Sequence, residues 1–141
     1  MRKLLLVLSL LVLFFVGTGM KSLEAQNCWL EIDVDWYGDC VKVNTNTVYV
    51  VNVTVINECS DPDETVFTET QTLATTIENT TFCIEDALCT VDQLEPCFRI
   101  YFTIAKVHNV TQEIICSNQE STSLLTCEQL MNFSSYSIPL D

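Results

Sequence analysis

The sequence predicts an all-β chain folded as an antiparallel two-sheet β-sandwich braced by disulfides. Three observations lead there: apolar and polar residues alternate with a period of two in four segments, turn residues punctuate them, and eight cysteines accompany them in a short chain. In "LEIDVDW" Leu30, Ile32, Val34 and Trp36 share one face, and Glu31, Asp33 and Asp35 share the other. One face belongs to a core and the other to solvent. In "VYVVNVTVI" Tyr49, Val51, Val53 and Val55 face one way, with Asn52 and Thr54 opposite. The threonine-rich run from Thr65 to Ile77 keeps Phe67, Leu73 and Ile77 in step and reads as one long strand or two short ones.

The fourth segment, "CTVDQLEPCFRIYFTI", is the clearest. Phe98, Ile100, Phe102 and Ile104 alternate, and the chain continues to a hairpin bend expected at Val107 to Val110, after which Ile114 and Cys116 return on a partner strand. A further short strand is expected near Ser123 to Cys127. "IEDAL" and "CEQLM" are each long enough for one helical turn, and neither has the sustained spacing of an amphipathic helix. "EQLMNFSSYSIPLD" shows no period and reads as a fraying tail.

The N-terminus sets the compartment. Arg2 and Lys3 precede an apolar run from Leu4 to Val16, followed by small and polar residues, which is the layout of a secretory signal peptide. The run is shorter than the roughly 20 apolar residues that a spanning helix requires. Cleavage after Ala25 leaves 116 of the 141 residues. The expected organisation is a signal peptide over 1–25, a sandwich domain over 26–128 and an irregular C-terminal tail over 129–141, with the product secreted.

All eight cysteines, Cys28, Cys40, Cys59, Cys83, Cys89, Cys97, Cys116 and Cys127, fall in the mature part. An even number in an exported chain of this size reads as a framework of four bridges. Structural zinc is disfavoured, because no C-x-x-C pair occurs and His108 is the single histidine. Spacing leaves the pairing open: Cys83 and Cys89 are placed to close a small loop, Cys116 and Cys127 to staple the last hairpin, and Cys97 to pin the Leu94–Pro96 corner to a neighbour not named by the sequence.

Without Arg2, Lys3, Lys21 and Glu24 the chain keeps three basic and 18 acidic side chains, a net charge of −15. Such a surface repels nucleic acid and anionic membranes, so a partner steered by charge is basic; acidity also serves solubility alone. Carboxylates cluster as Asp33, Asp35 and Asp39 and as Asp61, Asp63 and Glu64. Either group supplies only part of a calcium shell, and the two complete one only by meeting across neighbouring turns. No cofactor motif is present, no nucleophile elbow accompanies His108, and no catalytic role is assigned. Sequons at Asn52, Asn79, Asn109 and Asn132 fall on a wet strand face, after a strand, at a bend and in the tail, where each can carry glycan.

"VDQLEPCFRIYFTIAKV" resembles the end of a fibronectin type III or related immunoglobulin-like domain, in which Leu-x-Pro forms the corner before an alternating strand. Leu94 and Pro96 match that corner, and Trp36 stands where an early core tryptophan does. Cys97 replaces the usual glycine, Ile100 the expected tyrosine, and "FCIEDALC" adds a cysteine pair. The resemblance covers about a third of the mature chain. It implies a binding module without catalytic activity, its contacts made by loops to an extracellular protein or glycan. The acidic, cysteine-tied loops carrying Asp61, Asp63, Glu64, Glu85 and Asp86 are the candidate surface. Cys83-x5-Cys89 is also similar to secreted lipid-recognition sandwiches, which implies a small apolar ligand held among Tyr49, Phe67, Phe98, Ile100 and Phe102.

Overall fold

Alternation in the central strands becomes burial in the computed structural model, which describes residues 27–141. The expected signal peptide over 1–25 lies outside these residues. Strand β1 (Leu30–Tyr37) turns Leu30, Ile32, Val34 and Trp36 inward. It is followed by β2 (Thr47–Asn57), β3 (Glu64–Ala74), β4 (Asn79–Ile84), β5 (Phe98–His108), β6 (Ile114–Ser121), a one-turn helix α1 (Cys127–Met131) and β7 (Ser135–Pro139). They form two sheets, in the orders β4–β1–β7 and β3–β2–β5–β6. Inward faces of β1, β2 and β5 supply most of the core between them, so the chain is a two-sheet β-sandwich as the sequence predicts.

The C-terminus corrects the expected irregular tail. Thr126 and Gln129 form a reciprocal capping box that starts α1, Leu130 is buried, and the chain then returns along β1 as β7. Val34 lies opposite Tyr136 and Trp36 opposite Ile138, in a parallel pairing, so the sandwich is not wholly antiparallel. Tyr136 stacks on Phe102 with ring centroids 4.3 Å apart, and Ile138 and Leu140 are fully buried. Five residues are too few to announce a period beside so many serines, and burial holds the strand in place.

Other boundaries move as well. The threonine-rich run is one strand that ends at Ala74, and Ile77 lies beyond it, exposed. Asn79 opens β4 rather than following a strand. The hairpin bend falls after His108, and the strand expected at Ser123 to Cys127 shrinks to a single bridge between Phe98 and Leu125. "IEDAL" contains no helix, whereas "CEQLM" makes α1.

All eight cysteines are bridged. The pairs are Cys28–Cys83, Cys40–Cys116, Cys59–Cys97 and Cys89–Cys127, so neither the Cys83–Cys89 loop nor the Cys116–Cys127 staple forms. Three of the four bridges tie segments at one end of the sandwich, where β2 ends and β5 begins; Cys40–Cys116 alone holds the other end. At that other end Lys106 is buried, and its Nζ donates to the carbonyls of Cys40 and Lys42 at 3.0 and 2.7 Å. Burial, then the charge of Lys42, holds its ammonium below the usual lysine range. Gly38 has φ +130°, and a Cβ there would meet the Leu140 carbonyl oxygen at 2.6 Å, so a glycine lets the chain end pass.

Candidate interaction site at the clamped end and its seam

The three-bridge end gathers acid. The turn after β2 carries Glu58, Asp61 and Asp63, β3 starts at Glu64, the loop between β4 and β5 carries Glu85, Asp86, Asp92 and Glu95, and α1 adds Glu128. All except Glu58 are exposed. Cys59–Cys97 ties the first turn to the start of β5, and Cys89–Cys127 ties the second loop to α1. This answers the position of Cys97: its bridge fixes the corner to the β2–β3 turn, and the Glu58 N–H donates to the Cys97 carbonyl at 2.8 Å beside it. Leu94 is 80% exposed, so the bridge, rather than an apolar plug, holds this corner. In the entropy model each closed loop of this length stabilises by roughly 4 kcal/mol.

Arg99 is the basic side chain of this end, and it is already paired. Its Nε donates to Glu58 Oε1 at 2.6 Å and its Nη1 to the Thr122 carbonyl at 3.0 Å. Tyr101 Oη donates to the same carboxylate at 3.2 Å. The Arg99 hydrogen bond therefore holds the Glu58 carboxyl below the usual range, with Tyr101 assisting, while burial and the Glu58 hydrogen bond push the Tyr101 phenol up.

A sandwich has two lateral seams, and here they differ. Along β6 and β7, Tyr136 Oη donates to Glu120 Oε2 at 2.9 Å, and Asn118 Nδ2 to the Pro139 carbonyl at 2.8 Å. Along β3 and β4 the stitch is at Gln71, whose Nε2 donates to the Thr81 carbonyl at 3.1 Å and whose Oε1 accepts from Thr80. Beyond Gln71, toward the clamped end, this seam opens into a groove of about 330 Å³ bordered by Val66, Phe67, Glu69, Ile84, Glu85, Asp86 and Leu88, with Cys83 at its side. The register explains the floor. Val55 pairs with Phe67 but Ile56 pairs with Thr65, so Val66 is an extra residue in β3, and this bulge brings two successive apolar side chains to the groove.

The expected site residues divide accordingly. Glu85 and Asp86 line the groove, while Asp61, Asp63 and Glu64 lie on the exposed turn and strand start at the same end. Of the residues expected to surround an internal ligand, Tyr49, Phe98, Ile100 and Phe102 are at most 1% exposed and pack in the core; only Phe67 borders open space. Val66, Glu69, Ile84 and Leu88 were not singled out by the sequence. The break in alternation at Val66 was the available signal.

The two acidic clusters do not meet. Asp33 and Asp35 lie on the outer face of β1, where Asp33 accepts from Thr81 Oγ1 at 2.5 Å and Asp35 from Ser137 Oγ at 2.7 Å, and Asp39 follows at the far end. Among the described residues, the one group of three possible metal ligands is Cys59, Glu95 and Cys97, and its sulfurs are spent in a disulfide. Asn79, Asn109 and Asn132 are exposed. Asn52 is half-buried, and its Nδ2 donates to Thr70 Oγ1, the Glu69 carbonyl and Thr68 Oγ1 at 2.9, 3.0 and 3.3 Å. Asn79 and Asn109 belong to the end opposite the acidic loops.

No helix among the described residues is long and apolar enough to cross a membrane. Compared with protein-family models, curated proteins and solved structures, the chain matches none.

Proposed function

We propose that the chain is a secreted, non-catalytic interaction module that binds a basic extracellular protein through its clamped acidic end. One observation carries this reading: three disulfides brace the end where exposed carboxylates gather, and the single cation there, Arg99, is held by Glu58. Loops pre-ordered by cross-links lose little entropy on binding, and a one-sign surface steers an opposite partner to them. Glycans on Asn79 and Asn109 would stand at the opposite end, whereas one on Asn132, whose Nδ2 donates to the Glu128 carbonyl, would stand beside the acidic surface.

The immunoglobulin-like resemblance belongs to the same reading. Pairing of β1 with β4 in one sheet and the order β2–β5–β6 in the other support it, because sandwiches of that type distribute their strands in this way and present loops at their ends. The test is an array of purified extracellular proteins spanning acidic to basic, probed with the oxidised protein at physiological salt. Partners confined to the basic members, released by added salt, support the proposal. Partners without charge preference refute it.

A further inference from the structure

The clamped end accounts for the acidic loops but not for the groove beside them or for the free edge of β3. We propose that the open half of the β3–β4 seam receives an extended basic segment of the partner, laid along β3 with one Lys or Arg side chain seated in the groove. This rests on the reading of the acidic end as a partner surface and adds the path of the partner's chain.

Three features converge. First, β3 is the outer strand of its sheet and runs for 11 residues. A long edge presents unpaired backbone donors and acceptors, the template for adding a further strand. Second, the bulge at Val66 sets Val66 and Phe67 together, and with Ile84 and Leu88 they make an apolar floor within 330 Å³. That volume lies at the small end of binding cavities, the scale of a side chain rather than of a lipid. Third, Glu69 and Asp86 stand at the rim, and no basic side chain is among the lining residues. A cation on a methylene stem fits both parts: the stem covers Phe67 and the charge reaches the carboxylates. An uncharged acyl chain would instead cover Glu69, whose Oε1 accepts from Gln71 Nε2 at 3.0 Å, without neutralising its charge, which is costly.

Alternate residues of a strand point the same way, so the probe is the peptide acetyl-Thr-Lys-Thr-Lys-Thr-Lys-Thr-amide, titrated into the ¹⁵N-labelled oxidised protein. Its controls are the same peptide with glutamate for lysine and one with alternate backbone nitrogens methylated. Shifts are expected along β3 and at Val66, Phe67 and Ile84. Binding should weaken about tenfold or more in Glu69→Lys, in Phe67→Ser and with the methylated peptide, and stay unchanged in Asp39→Lys at the far end. Amide spectra of the variants check that each keeps the fold. Shifts confined to residues 58–63 and 88–97, with β3 still, overturn the groove proposal and leave the acidic end standing. Equal binding by the methylated peptide overturns strand addition, and no binding by the lysine peptide overturns the groove proposal, the acidic end being tested by the array of extracellular proteins.

Discussion

Glu58 accepts a 2.6 Å hydrogen bond from Arg99 Nε across the strand pair that joins the Cys59 turn to the Cys97 corner. The pair binds the two segments that the Cys59–Cys97 bridge also joins, one residue before and two residues after its cysteines. A covalent and an ionic tie thus act on the same corner.

That arrangement predicts an acid-dependent stability. The Arg99 hydrogen bond lowers the Glu58 pKa from its ordinary value of 4.5, so the contribution is present above the unfolded value and is lost as pH falls through the folded one. Arg99→Gln should therefore lower the urea midpoint at pH 7, and the gap should narrow at an acid pH that protonates Glu58, leaving what the Thr122 carbonyl contact contributes. A constant gap at both pH values would mean that Arg99 acts through packing alone.

The corner bridge itself should be separable from the opposite one. Replacing Cys59 and Cys97 together by serine should cost roughly 2–4 kcal/mol and speed amide exchange in residues 58–63 and 90–97. The Cys40 and Cys116 double variant should loosen residues 38–46 instead. Exchange that spreads evenly in both variants would contradict the division into two independently clamped ends.

β7 should behave as core, not as a tail. Ile138 is fully buried opposite Trp36, so Ile138→Ala should cost about 3 kcal/mol in denaturant unfolding. An unchanged midpoint would show that the C-terminal strand is detached.

Expression in a eukaryotic secretory host should give glycan at Asn79 and Asn109 and leave Asn52 bare, because the Asn52 amide nitrogen is engaged with Thr68, Glu69 and Thr70. Glycopeptide mass spectrometry decides this, and full occupancy at Asn52 would mean that the β2–β3 contact forms only after modification or not at all.

What the sequence shows and hides follows from position in the sheets. β1, β2 and β5 each have strands on both sides, bury one whole face and so alternate cleanly. The outer strands have inward positions near water, and Glu69 and Gln71 of β3 and Asn118 and Glu120 of β6 occupy them, which blurs the period. The seam groove was hidden for the same reason. Its walls come from β3 and β4, which belong to different sheets, and its floor depends on a bulge that only the pairing with Ile56 reveals. The bridges were legible as a framework, but their partners are set by which loops meet at each end of the sandwich.

The central claim, that the acidic end is the partner surface, is tested most directly by reversing charge at one end at a time. Asp61→Lys, Asp63→Lys and Glu64→Lys together should weaken binding to a basic partner from the array by about tenfold or more, while the same number of reversals at the far end, Asp39→Lys, Glu78→Lys and Glu113→Lys, should leave it within about twofold. Equal losses from the two ends would show that net charge alone, and not the clamped loops, holds the partner.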